Sequence, residues 1–421
     1  MYEKYFYPWS MQKDNNHYEV TDADGIYIWI NEKKCYDMSS QAINVNIGHK
    51  NTRIINAIKE QCDRLPFIAS AFKNEIRELA AEEILSVAPL GMEKVYFTAS
   101  GAEANENAIK IARMFKGRTK IFSAYNSYHG STIGAGTLTG DARRFSSEKD
   151  VAGFVKFEFP DKYHSILKFS NENEMSEIYI KMLENQIINE NPKDIAAIFV
   201  EPIIGGNGVI IPPEGYLQGV RKICDKYGIL MVCDEVMTGW GRTGKWFGIE
   251  NWDITPDIIT TSKGITSSYI AFGAVIVNKE ISEFFIEHPL MCGSTNYGHL
   301  LGCAATVANI KEYKEKDLIK NSMELGIKLG EILNKFKEKY KNIGDVRVKG
   351  LFACIEFVTD RETKQPYNDI SKIIPDLIER GFWTLSRRNL IMIAPPLIIN
   401  EEELTNAMTI LDEVLEKKLG N

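Results

Sequence analysis

The sequence predicts an α/β protein built on an open, mostly parallel sheet, with a smaller α+β domain beside it. Three observations predict this. From about residue 52, helix-period segments alternate with short apolar runs, the pattern of successive βαβ units. The runs lack polar alternation, so their strands are expected to be covered on both faces. Residues 18–38 alternate instead around Asp24-Gly25 and Asn31-Glu32, which predicts small antiparallel strands.

The expected strands of the large sheet are the runs at 94–97, 120–122, 195–200, 229–233, 258–259 and 271–277. Between them lie amphipathic helices. One spans 213–227, with Tyr216, Val220, Ile223, Cys224 and Tyr227 on one face. Another spans 104–115, with Ala104, Ala108, Ile111, Ala112 and Phe115. Residues 311–342 read as one long Lys/Glu-rich helix with a solvated face and a break near Gly326. Strands are expected at 346–348, 351–357 and 390–394, and helices at 369–380 and 401–418. The division expected is a large domain over 51–305 and a small one over 306–421, which residues 1–50 join.

Composition sets outer limits. The chain has 421 residues, 44% of them hydrophobic and 25% charged, which excludes a disordered or coiled-coil protein. A net charge of −7 argues against a nucleic-acid or anionic-membrane partner. Seven cysteines without a C-x-x-C spacing point to neither a disulfide framework nor a zinc site. The N-terminal residues have no apolar signal region, and no run reaches the roughly 18 apolar residues of a membrane helix. A cytoplasmic protein is expected.

Ligands of an open α/β sheet bind beyond the carboxyl ends of its strands, so the residues after each run matter most. These are Ser100-Gly101-Ala102 opening a helix, Tyr128-His129-Gly130-Ser131, Glu201-Pro202, Asp234-Glu235 and Ser262-Lys263-Gly264. A Ser-Gly-Ala turn at a helix start offers backbone N–H groups and a positive dipole end to an anion. It is no Walker loop, since the lysine of that motif is absent. An aspartate leaving a buried strand can hold a proton on a heterocyclic nitrogen. A lysine there can lose basicity and become a Schiff-base nucleophile, and a tyrosine can stack on a flat ring. Phosphate, ring nitrogen, aldehyde and ring face together describe pyridoxal phosphate. Plainer readings exist. Asp234 and Glu235 point to opposite faces of a strand, so they make no joint metal site. His129 and His299 read as structural histidines and Arg242 as a loop anchor.

Several motifs now resemble the class III aminotransferases. They are Ser-Gly-Ala-Glu-Ala-Asn-Glu at 100–106, Tyr-His-Gly-Ser at 128–131 and Asp-Glu-Val-Met-Thr-Gly-Trp-Gly-Arg-Thr-Gly at 234–244. Ser-Lys-Gly at 262–264, Gly-Ser-Thr-Asn-Tyr-Gly-His at 293–299 and Ala-Pro-Pro-Leu-Ile-Ile at 394–399 extend the match. The resemblance implies the aspartate-aminotransferase fold (fold type I), a homodimer or tetramer, and pyridoxal phosphate at the subunit boundary. It implies that Lys263 forms the Schiff base and shuttles the proton, and that Asp234 pairs with the pyridine nitrogen. Val236 and Tyr128 would cover the two ring faces. Ser100, Gly101 and Ala102 would hold the phosphate, with Thr295 from the neighbouring subunit. His129 and Glu201 would lie beside the ring.

Departures from the pattern bear on the substrate. Ornithine- and 4-aminobutyrate-type members carry a glutamate that gates an arginine, where this chain has Gly206, and a glutamine where it has Met237. Together with Thr-Gly-Asp-Ala-Arg-Arg at 139–144, this resembles the taurine, β-amino-acid and 3-aminoacyl-CoA branch. The expected reaction moves an amino group from an ω- or β-amino compound to pyruvate or 2-oxoglutarate. A lyase or an aminomutase on the same scaffold is the alternative. Arg387 and Arg388 are candidates for the substrate carboxylate, with Arg143 and Arg144 as others. Trp9 either lines the entrance or packs in the core.

Overall fold

The alternating segment at the N-terminus folds as its pattern dictates. In the computed structural model, which describes residues 4–13, 17–149, 151–368 and 370–420, β1 (Val20–Asp24), β2 (Tyr27–Ile30) and β3 (Lys33–Asp37) form an antiparallel ladder. Asn31 and Glu32 both take positive φ (46° and 68°), the conformation that a two-residue hairpin turn with the right twist requires. Ile28 and Ile30 face inward at 1% exposure, while Tyr27 and Trp29 lie between them half-buried.

The apolar runs build one seven-stranded sheet. Its strands are β4 (Met92–Thr98), β5 (Lys120–Ala124), β6 (Phe154–Phe157), β7 (Ile195–Val200), β8 (Leu230–Asp234), β9 (Ile258–Thr261) and β10 (Gly273–Asn278). The order is β4-β10-β9-β8-β7-β5-β6. All neighbours are parallel except β10, which runs antiparallel to both β4 and β9. Hence β4, β5, β7, β8 and β9 deliver their carboxyl ends to one edge. Every residue of β7 is fully buried, each large side chain contributing about 1.5–3 kcal/mol relative to exposure. The edge strand β6 was not expected from the sequence. It is four residues long and carries Lys156, so its pattern is that of a short protected edge.

Two helix boundaries differ from expectation. The segment expected at 213–227 is helical only over Tyr216–Tyr227, because Gly215 at its start holds φ 84°. The single long helix expected over 311–342 is two helices, Leu300–Glu315 and Leu318–Lys339. The break is at Asp317 (φ 50°), not at Gly326. Gly326 lies inside the second helix and packs on Gly350, whose backbone would stand 2.5 Å from a side chain at 326. Glycine there permits a close approach of two backbones rather than a bend. Leu318–Lys339 has the solvated face expected, while Leu300–Glu315 is buried over most of its surface.

The C-terminal strands are β11 (Ile343–Val348), β12 (Ala353–Asp360), β13 (Gln365–Pro366), β14 (Phe382–Trp383), β15 (Ser386–Arg387) and β16 (Leu390–Ile393). They form a sheet in the order β11-β12-β16-β15, with β13 beside β12, whereas β14 pairs in parallel with β3. That pairing ties the N-terminal ladder to the C-terminal third. The helix expected at 369–380 is a 3-10 turn, Ile370–Ile373, followed by Ile374–Glu379; Pro375 stands at the start of the latter, and position 369 lies outside the described residues. The last helix, Glu401–Leu419, opens with an Asn400/Glu403 capping box. Among the described residues no helix is long and apolar enough to cross a membrane.

Candidate active site

A cavity of about 200 Å³ lies at the carboxyl edge of the large sheet. Ala102, Tyr128, His129, Glu201, Asp234 and Lys263 all face it, so residues from β4, β5, β7, β8 and β9 meet there.

The helix Gly101–Lys116 begins at the cavity. Ser100 caps it, its Oγ accepting from Glu103 N at 3.2 Å, and Glu103 reaches back to Ala99 N at 2.7 Å. The first-turn N–H groups of a helix have no partner inside it, so this end favours an anion. Gly101 is needed for packing: a side chain there would meet Val236 Cγ2 at 2.8 Å.

Asp234 ends β8 and is 3% exposed. Its Oδ2 accepts from Asn105 Nδ2 at 2.7 Å and lies 2.8 Å from His129 Nδ1. Its Oδ1 accepts from Val236 N at 3.0 Å. Asn105 also donates to His129 O and accepts from Thr260 Oγ1, each at 2.7 Å, so one amide locks three strand ends together. The other ring nitrogen of His129, Nε2, is buried with no hydrogen-bond partner among the described residues. The neighbouring Glu235 turns the other way and accepts from Gly248 N and Ile249 N at 2.8 Å.

Glu201, at the end of β7, accepts from Tyr128 N at 2.8 Å and Gly205 N at 2.9 Å. Burial lifts its carboxyl to about 7, with Asp234 adding to the rise while His129 and the two N–H groups oppose it. Lys263 follows β9 in a left-handed conformation (φ 47°), a backbone strain of roughly 1–3 kcal/mol of the kind that gathers at working sites. Asn309, from the helix Leu300–Glu315, donates to the carbonyls of Gly264 and Ile265 and braces that turn. Burial pulls the Lys263 ammonium down to about 8; Arg242 and Arg143 lower it further, and Asp234 and Glu201 oppose.

Aromatic and cationic groups gather around Tyr128, which lines the cavity. The Arg143 guanidinium lies 3.6 Å from the centroid of the Tyr128 ring, and Trp9, largely exposed, meets the same ring edge-on at 6.2 Å. Trp9 therefore lies outside the core, against the Tyr128 ring. Arg387 donates from Nη1 to Gly206 O at 2.8 Å and from Nη2 to Asp141 Oδ2 at 3.2 Å. Arg388 is exposed in a turn with φ 55°, outside this cluster. Arg144 pairs with Glu148 instead. Thr295 is exposed and not among the residues lining the cavity. Arg242 is fully buried and donates to Leu351 O, Pro395 O, Ser40 Oγ and Asn46 Oδ1, which makes it the loop anchor expected. His299 caps the helix Leu300–Glu315.

Sequence reasoning missed Asn105, Asn207 and Asp141. Asn105 was detectable as a polar residue on the apolar face of an amphipathic helix. Asp141 precedes Arg143 by two, the spacing at which an Asp side chain caps a turn.

The aminotransferase class-III family profile matches residues 9–415. A leucine/methionine racemase of Thermococcus litoralis is 36% identical over 93% of this chain and 89% of its own. A taurine–pyruvate aminotransferase of Bilophila wadsworthia is 33% identical over 95% and 91%. A solved taurine:2-oxoglutarate aminotransferase of Bifidobacterium kashiwanohense, in complex with PLP and glutamate, superposes with a TM-score of 0.94 at 42% identity, covering 98% of this chain and 96% of that one. The chain belongs to the class III aminotransferases, pyridoxal-phosphate enzymes of fold type I.

Proposed function

We propose that this enzyme moves an amino group from a taurine-like ω- or β-amino compound to pyruvate or 2-oxoglutarate by a ping-pong mechanism. The observation that carries the proposal is the convergence of the Lys263 amine, the Asp234 carboxylate, the Tyr128 ring and a helix N-terminus on one cavity. These residues fit pyridoxal phosphate on their own chemistry: an anion seat, a buried carboxylate with fixed donors, a ring face and an amine of lowered basicity. When bound, the cofactor supplies an aldehyde that condenses with amines and a ring that takes up the electron pair released at the adjoining carbon.

The chain supplies the rest. Asp234, fixed by Asn105, His129 and Val236 N, would hold a proton on the ring nitrogen. His129 keeps Asp234 oriented, and its Nδ1 contact fixes its own ring. Gly101 and Ala102 offer N–H groups to the phosphate. The Ser100 hydroxyl, already accepting from Glu103 N, is left free to donate its hydrogen. Val236 and Tyr128 hold the two ring faces, and Glu201 fixes the backbone under Tyr128. Lys263 Nζ, at about 8, is neutral in about a tenth of molecules at pH 7, far more than an ordinary lysine. With the cofactor bound, this amine would take the proton from the amine-bearing carbon of the substrate and hold it for return. Trp9 lines the entrance, and Arg387 receives the substrate carboxylate, with Arg388 adding charge from outside. Thr295 completes the phosphate seat of a second copy, so the working unit is a homodimer. We place it in the cytoplasm.

Gly206 supports the donor class. A side chain at 206 would start 3.3 Å from Arg143 Nη2 and 3.9 Å from Arg387 Nη1, so a glutamate there would compete for these guanidinium groups; glycine leaves Arg387 open to the substrate. The test is a panel of taurine, β-alanine, 3-aminobutyrate and 4-aminobutyrate against pyruvate and 2-oxoglutarate, with racemisation of leucine and methionine read in parallel. Alanine or glutamate formed in step with donor loss supports the proposal. Ammonia without 2-oxo-acid consumption would make it a lyase, isomerisation without an acceptor an aminomutase, and racemisation alone a racemase.

A further inference from the structure

The turn after β7 is held from two sides. Ile204 and Ile210 close it with a pair of backbone bonds, 3.1 and 2.9 Å. On the cavity side, Gly205 N donates to Glu201 Oε2 at 2.9 Å, and a side chain at 205 would meet Met237 Sδ at 2.7 Å. On the far side, Gly208 O accepts from Arg347 Nε at 2.6 Å. Gly208 has φ 113°, and a side chain there would stand 2.9 Å from Arg347 Nη2, so glycine is what admits the guanidinium.

Arg347 comes from β11, 139 positions along the chain from Gly208. Its other nitrogens are committed too: Nη2 donates to Glu356 Oε2 at 2.8 Å and Nη1 to Asp345 Oδ2 at 3.3 Å. The second oxygen of Glu356 lies 2.8 Å from His164 Nε2, and His164 Nδ1 lies 2.9 Å from Asp161 Oδ2. Hydrogen bonding to Asp161 and then to Glu356 lifts His164 to about 9, so it is charged at neutral pH. Lys337 pairs with Asp345 at 2.9 Å. Asp161, Glu356 and Asp345 thus face His164, Arg347 and Lys337, three carboxylates against three cations, with Glu356 4% exposed. A buried network with its charges matched is rigid, and what it grips is the turn beside Glu201.

We propose that Arg347 is a positioning residue for the amino transfer: anchored by Glu356 and, through it, by His164, it fixes the Ile204–Ile210 turn and so sets, through Gly205 N, the Glu201 carboxylate that lines the cavity and holds Tyr128 N. This deepens the aminotransferase reading and rests on it. Arg347 touches neither the cavity nor the residues that would receive a substrate, so its effect falls on the alignment of the reacting groups and not on substrate affinity. A misplacement of about 1 Å at such a site can cost about a hundredfold in rate. The turn stays closed by Ile204 and Ile210 when Arg347 is changed, so the loss expected is smaller, about tenfold.

The experiment separates alignment from stability in the holoenzyme. Arg347→Lys keeps a charge beside Glu356 but has no planar fork to reach Gly208 O as well. Its kcat should fall about tenfold while the KM values for donor and 2-oxo acid stay within about twofold. Glu356→Gln, which loosens Arg347 without touching the turn, should show a smaller loss of the same kind. The second readout is the absorbance of bound pyridoxal phosphate titrated with pH. Glu201 faces His129, Asp234 and Lys263, and its protonation should give a step that Glu201→Gln removes. The Gly205 N–H favours the charged carboxylate, so in Arg347→Lys that step should move up by about half a pH unit. A step that is absent or unmoved, a kcat within twofold of wild type, or a loss confined to KM overturns the proposal; a lowered urea midpoint alone would make Arg347 a structural brace. Should wild type transfer no amino group while the step moves as expected, the aminotransferase reading fails and the positioning of Glu201 by Arg347 stands.

Discussion

Replacing Asn105 by alanine tests how the site is held. Asn105 is 1% exposed, and its amide makes three bonds of 2.7 Å: to Asp234 Oδ2, to His129 O and from Thr260 Oγ1. The bond to a carboxylate is worth roughly 1.5–3 kcal/mol, and each buried group left without a partner costs about 1–3 kcal/mol. Alanine returns up to about 0.7 kcal/mol in helix propensity. The net loss is therefore about 3 kcal/mol, divided between stability and cofactor retention because Asp234 serves both. Urea unfolding of the cofactor-free protein measures the first part, and titration with pyridoxal phosphate the second. A variant within 0.5 kcal/mol of wild type in unfolding, with unchanged cofactor affinity, would refute the role given to this amide.

Two further predictions follow from the same cavity. Gly206→Glu places a carboxylate between Arg143 and Arg387, so the KM for 2-oxo acids should rise about tenfold, roughly 1.4 kcal/mol, with kcat little changed in steady-state kinetics; an unchanged KM would remove Arg387 from the substrate site. Glu201, lifted to about 7 by burial, binds a proton in the folded state between about 4.5 and 7 that the unfolded chain has lost, so stability falls as pH rises through that window. Glu201→Gln should remove its share of that fall in urea midpoints taken at pH 5 and 7.5. Glu235, raised to about 7 by its own burial, keeps the rest, and an undiminished slope contradicts the reasoning.

The parts legible in the sequence are those that local chemistry decides. The run Ile195–Val200 has no polar residue, so it can only be a strand covered on both faces, and it is. Lys263, Asp234 and Tyr128 follow such runs and therefore share one sheet edge. What was not legible depends on partners distant in sequence. Gly326 looks like a helix breaker until Gly350 is found against it, and Asp317 looks ordinary until its φ is known. The pairing of β14 with β3 joins residues 346 positions apart, Phe382 to Tyr36 and Trp383 to Asp37, and no local pattern announces it. Asp141 and Arg387 are likewise 246 positions apart. Nothing local in the sequence separates Arg387, which reaches Asp141, from its exposed neighbour Arg388.

In the proposed function, Lys263 and the residues around it carry a stoichiometric amino transfer. Holoenzyme mixed with taurine, or the best donor of the panel, and no acceptor should release one equivalent of aldehyde or oxo product per site and then stop. Adding pyruvate should return that amino group as alanine, and Lys263→Ala that retains cofactor should release nothing. Continuous product and ammonia formation without an acceptor, or full activity in the Lys263 variant, would contradict the account.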